Sequence, residues 1–222
     1  MSMDEMAEYA PGAVVPWPRF DEDDVTLLVK SWKAVSNGQM EVLGMKIYEM
    51  IFNQVPESRI LFPFMKFTPG GKERKGTEFR FQALRFMQVV EQAILSINHL
   101  DELNPILENL GRRHGKLEVS AGFQPYFWTT FIECSIFNIR IFMEKAKKVS
   151  FDANEIDLSI MIWRRLLSAV IKRIEIGFYT DIANRKSNGE TRKLRKQSTT
   201  TQCSAFLMKQ SSRWGENNEK DK

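Results

Sequence analysis

The sequence predicts an all-α protein. Apolar residues recur at steps of three and four through most of the chain, no stretch alternates apolar and polar over the length of a strand, and no turn dipeptide joins two alternating runs. Six helical patterns follow in order. Val25, Leu28, Val29, Trp32 and Val35 form the first, behind Asp23 and Asp24 as a capping pair. Met40, Leu43, Ile47, Ile51 and Val55 form the second, which stops at Pro56. After the loop "FTPGGKERKG", a long third helix carries Phe79, Ala83, Phe86, Val90, Ala93 and Ile97. A short fourth carries Leu107, Leu110, His114 and Leu117. Phe123, Phe127, Phe131, Cys134 and Ile141 mark the fifth, and Ile156, Ile160, Trp163, Leu167, Val170, Ile174 and Phe178 the sixth.

Composition sets the boundaries. Residues 1–22, with Pro11, Pro16 and Pro18, read as a flexible arm before a domain over 23–182. Residues 183–222 are basic and Ser/Thr-rich without a sustained apolar period, so disorder is expected there. A chain of 222 residues buries one sizeable core. Its net charge of +4 does not announce a nucleic-acid partner. The run "RKLRKQS" before Ser198 suits a basophilic kinase, or an acidic lipid or protein partner. Two cysteines, Cys134 and Cys203, build no disulfide framework and suit a reducing compartment. No apolar run reaches the roughly 18 residues of a membrane span. The acidic start "MSMDEMAEYA" has neither a signal-peptide layout nor a glycine after Met1. A cytoplasmic protein is expected.

Two features go beyond core patterning. Gly44 and Ala83, small residues on two different helices, permit a close backbone crossing. His114, one of two histidines, sits among leucines, where an imidazole is costly to bury unless its ring nitrogens are occupied. It is either a hydrogen-bonded core residue or a ligand. Zinc needs about four donors, and no Cys/His spacing supplies them. Heme needs only one protein imidazole, because the porphyrin gives iron its other four nitrogens. Leu110, Leu117, Phe86 and Val90 are placed to line a flat apolar slot for it.

These features together resemble the globin family over about residues 23–180: Trp32 in "SWKAV", Pro56 followed by "ILFPF", "LGRRH" ending at His114, and "IMIWRRLLSAVIKRIEIGF" as the last helix. The look is closest to nematode globins and the neuroglobin-like branch. The resemblance implies helices packed around a heme b pocket, with iron held by His114 on its proximal side. The carbonyl of Leu110 would then accept the other imidazole N–H. Phe62 would stack on the porphyrin, Phe86 would pack above it, and Arg85 and Arg113 would meet the heme carboxylates at the rim. Gln82 falls at the distal position, where many vertebrate globins have histidine, and Tyr48 points into the same pocket. Gly44 and Ala83 match the small pair at the crossing.

Tyr48 with Gln82 resembles the tyrosine–glutamine distal pocket of some nematode globins. Both donate hydrogen bonds, and bound dioxygen carries partial negative charge. At about 1–3 kcal/mol each, two such bonds slow oxygen release about a hundredfold. The second histidine, His99, lies seventeen residues after Gln82. That is about 25 Å along one helix, too far to bind iron as a second axial ligand. Five-coordinate ferrous iron is therefore expected. The implied ligands are dioxygen and other diatomic gases, and the first role is oxygen binding, transport or storage. Redox or oxygen-sensing signalling is the second, suggested by the terminal extensions. Turnover of nitric oxide, peroxide or nitrite, with an external electron donor, is the third. A heme-free helical adaptor is the fourth.

Overall fold

The computed structural model describes residues 15–62, 65 and 76–215, without the side chains of 190–215. Contacts divide the chain into two units, Met1–Asp181 and Ile182–Lys222. Its helices are α1 (Glu22–Ser36), α2 (Met40–Gln54), α3 (Thr77–Leu95), α4 (Asn104–Ala121), α5 (Phe127–Glu144) and α6 (Ala153–Gly215), with 3₁₀ turns at Pro56–Leu61 and Leu100–Leu103. No strand occurs among the described residues. Among them, too, no helix is long and apolar enough to cross a membrane.

Local chemistry sets the ends of these helices. Asp21, rather than the pair at 23–24, caps α1: its carboxylate accepts the Asp24 N–H at 2.8 Å, and the three acids that follow complement the helix dipole. Pro56 and Pro105 each stand in a first turn, where a missing N–H costs nothing. The fourth helix is eighteen residues long, not short. It ends at Gly122, whose φ of +72° suits only a residue without a Cβ. The N–H of Phe123 then reaches back to the Leu117 carbonyl at 3.2 Å. This turn buries Phe123 in the connection, and α5 begins only at Phe127.

Close crossings fix how the helices pack. A Cβ on Gly44 would lie 2.7 Å from the Ala83 carbonyl oxygen, so α2 and α3 touch backbone to backbone. Gly111 of α4 and Gly177 of α6 interlock in the same way, each lying against the other helix's carbonyls at Ile174 and Glu108. Ser31 joins α1 to α6: its buried hydroxyl accepts the Trp163 indole N–H at 2.9 Å and donates to the Leu28 carbonyl.

Both flanks differ from the sequence expectation. Part of the arm is held against the core. The Trp17 indole N–H donates to Asn104 at 3.0 Å, and the Arg173 guanidinium donates to the Val15 carbonyl and lies 5.3 Å from the Trp17 ring. Arg165 likewise lies over Phe20 and pairs with Asp24. Two aromatics among the prolines provide area to bury, and a buried arginine needs an acceptor. Residues 1–14 lie outside the described residues. At the other end α6 continues to Gly215, where the sequence closes the helix near Phe178 and expects disorder in 183–222. No proline follows Pro125, and Arg, Lys, Glu and Gln favour helix even without an apolar face. The side chains of Ser198 and Cys203 lie outside the description.

Candidate functional site

A cavity of about 630 Å³ opens inside the first unit, within the range of small-molecule and cofactor sites. The sequence-selected residues Tyr48, Phe62, Gln82, Arg85, Phe86, Val90, Leu110, Arg113, His114 and Leu117 all line it. His99 does not; it stands exposed before the Leu100–Leu103 turn. Cys134 is buried elsewhere in the core, and burial pushes its thiol up to about 11, which makes it a poor nucleophile.

His114 owes its state to its own helix. Its Nδ1 lies 2.9 Å from the Leu110 carbonyl, one turn earlier, so the tautomer protonated at Nδ1 donates there and keeps the lone pair on Nε2. Burial lowers its pKa below the ordinary 6.5, outweighing the opposite pull of that carbonyl. The ring is therefore neutral at pH 7, as a metal ligand must be. Phe123 and Trp128 meet the imidazole edge-on, at centroid distances of 5.3 and 4.9 Å.

Tyr48 is buried among aromatic rings. Phe62, Phe86, Phe52 and Phe79 stand 5.4 to 6.3 Å from it, centroid to centroid. Burial raises the phenol's pKa despite the hydrogen bond from Gln82, so the O–H keeps its proton. The sequence suggests two independent donors; the structure joins them. Gln82 Nε2 donates to the Tyr48 oxygen at 3.3 Å. That is the phenol oxygen's only hydrogen bond among the described residues, and it leaves the O–H proton free to donate.

Arg85 and Arg113 are exposed residues on the cavity wall, and among the described residues neither forms an ion pair. Arg85 lies over the exposed Phe81 ring at 5.4 Å. Sequence reasoning passes over Trp128, whose buried indole N–H has no partner among the described residues. Nor does it mark Leu167, Val170, Ile171 and Ile174, the α6 residues on the cavity wall, as more than helix core. An apolar cavity with one neutral imidazole, two cations at its edge and an orphaned donor fits a flat apolar cofactor bearing carboxylates.

The globin family model matches residues 45–140, a span that takes in Tyr48, Gln82 and His114. Over that span the chain matches the globin family. The chain is 29% identical over 160 residues to the Globin-related protein glb-13 of Caenorhabditis elegans. The match covers 72% of the chain and 53% of that relative, so the chain spans about half the relative's length. Among solved structures it resembles the crystal structure, at pH 4, of a hexacoordinated heme protein from an anhydrobiotic tardigrade. The TM-score is 0.60 at 24% identity, covering 72% of this chain and 96% of that one. At that identity the likeness establishes the fold alone.

Proposed function

We propose that this chain is a globin that binds heme b through His114 and reversibly binds dioxygen beside Tyr48 and Gln82. One observation carries the reading: a neutral imidazole with its Nδ1 engaged and a protonated phenol free to donate share one apolar cavity. Heme held there by His114 would supply an iron able to bind a diatomic gas. His114 holds its Nε2 lone pair ready, fixed in tautomer by Leu110. Tyr48 would offer its free O–H to a polar gas held in the cavity. Gln82 orients that hydroxyl and, by donating to its oxygen, makes the O–H a stronger donor. Phe62, Phe86, Val90 and Leu117 exclude water, while Arg85 and Arg113 meet the carboxylates.

Optical spectra of the purified protein, ferric and ferrous, with and without oxygen, test this directly. The expected result is stoichiometric heme, a five-coordinate ferrous form and a stable oxygenated form. A protein that takes up no heme, or a low-spin ferrous spectrum without added ligand, overturns it. A signalling role is the second reading, favoured by the continuation of α6 to Gly215 beyond the unit that holds the cavity. With it go a cytoplasmic setting, an external electron donor for redox turnover, and an acidic lipid or protein for the basic segment.

A further inference from the structure

Two exposed ion pairs link α5 to α6, which run antiparallel. Arg164 grips Glu133, with one N–O contact at 2.9 Å, and seven residues away Arg140 pairs with Asp157. Between the pairs the surface is apolar. Phe137 is 51% exposed and Met161 63%, with Leu158 beside them at 44%. The inner face of α5 is already packed on α1 and α2, so this stripe takes no part in the core or the cavity.

The two stripes share one pattern. On α5 it reads Glu133, Phe137, Arg140, and on α6 Asp157, Met161, Arg164. Steps of four and then three keep each set on one helix face. Acid, apolar and base thus follow in the same order on both antiparallel helices. The pattern is self-complementary under a two-fold axis. With the axis across the helices, Glu133 meets Arg140 of a second copy and Asp157 meets its Arg164. With the axis along them, Glu133 meets the other copy's Arg164 and Arg140 its Asp157. Either way acid faces base at both ends and apolar faces apolar in the middle. An isologous interface needs this self-matching, and an aromatic residue with a methionine inside a charged rim is the composition such centres favour.

We infer that the outward face of α5 and α6, centred on Phe137 and Met161, is a docking surface for a second copy of this chain. The association does not depend on heme. Sedimentation velocity on the full-length protein should show a dimer. Phe137→Glu and Met161→Glu, both at exposed positions, should each weaken it by about tenfold or more while helicity by circular dichroism stays the same. A chain that stays monomeric at the highest concentration it reaches, or a dimer indifferent to both substitutions, overturns the inference. A charge-reversal pair guards against effects on folding. The acid-only variant (Arg140→Glu with Arg164→Glu) and the base-only variant (Glu133→Arg with Asp157→Arg) should each be monomeric alone and dimerise when mixed. These positions lie on the surface, where the internal ion pairs contribute little to the fold. A mixture that stays monomeric would also overturn the inference.

Discussion

His114 and Tyr48 set the same problem, a polar ring buried among aromatics, and the molecule solves it in two different ways. His114 is satisfied by a carbonyl of its own helix, four residues back. Tyr48 depends on Gln82, thirty-four residues away on another helix, and on the Gly44–Ala83 crossing that brings the two helices together. The first solution is local and survives distortion elsewhere. The second is tertiary and fails with its scaffold.

The largest expected effect falls on the local side. His114→Ala should abolish stable heme retention, because no other histidine lines the cavity. Hemin titration followed at the Soret band measures this, and unchanged affinity would end the axial assignment. On the tertiary side, Tyr48→Phe keeps the ring packing and removes only the donor, so the oxygen dissociation rate should rise about ten- to a hundredfold. Gln82→Leu should raise it less, because the phenol still donates without its orienting partner. Carbon monoxide, less polar when bound, should respond far less; equal shifts for both gases in stopped-flow would point to steric gating instead.

The scaffold itself comes next. Gly44→Val drives side-chain carbons into the Ala83 carbonyl and should destabilise the fold by about 1–3 kcal/mol in urea unfolding. If the two solutions differ as argued, this variant also speeds oxygen release while leaving heme affinity nearly intact. The smallest effect is a dependence on pH. Burial depresses the His114 pKa, so below the ordinary 6.5 the unfolded chain takes up a proton that the folded chain refuses. Heme-free protein should therefore lose stability as pH falls below that value, with a slope of at most one proton from this group. His114→Phe should remove that component, and an unchanged slope would place the buried titrating group elsewhere.

The same division explains what could be read from the sequence. Periodicity gave the helices, because each amphipathic stripe is a local pattern. The globin resemblance implied a hydrogen bond from His114 to the Leu110 carbonyl, within one helix. Gly44 and Ala83 were legible as small residues in helical runs, but nothing local said that Gln82 would donate to Tyr48 rather than act beside it. Trp128 escaped notice because an aromatic beside Phe127 looks like any other core residue. Nothing local marks Arg173 as buried; only the fold sets it against the Val15 carbonyl and the Trp17 ring. The glycine turn after α4 was missed as well, although it decides that Phe123 meets the histidine.

The Ser31–Trp163 hydrogen bond sets a timetable for the chain's synthesis. Its two ends lie 132 residues apart. At about 5–20 residues per second, a ribosome adds the second roughly 7–26 s after the first. Throughout that interval the face of α1 that holds Leu28 and Trp32 has no α6 to cover it. Until then that face of α1 can pack only on α2 and α5, which are made earlier. A chain ending before Trp163 would lack the indole that the Ser31 hydroxyl accepts from.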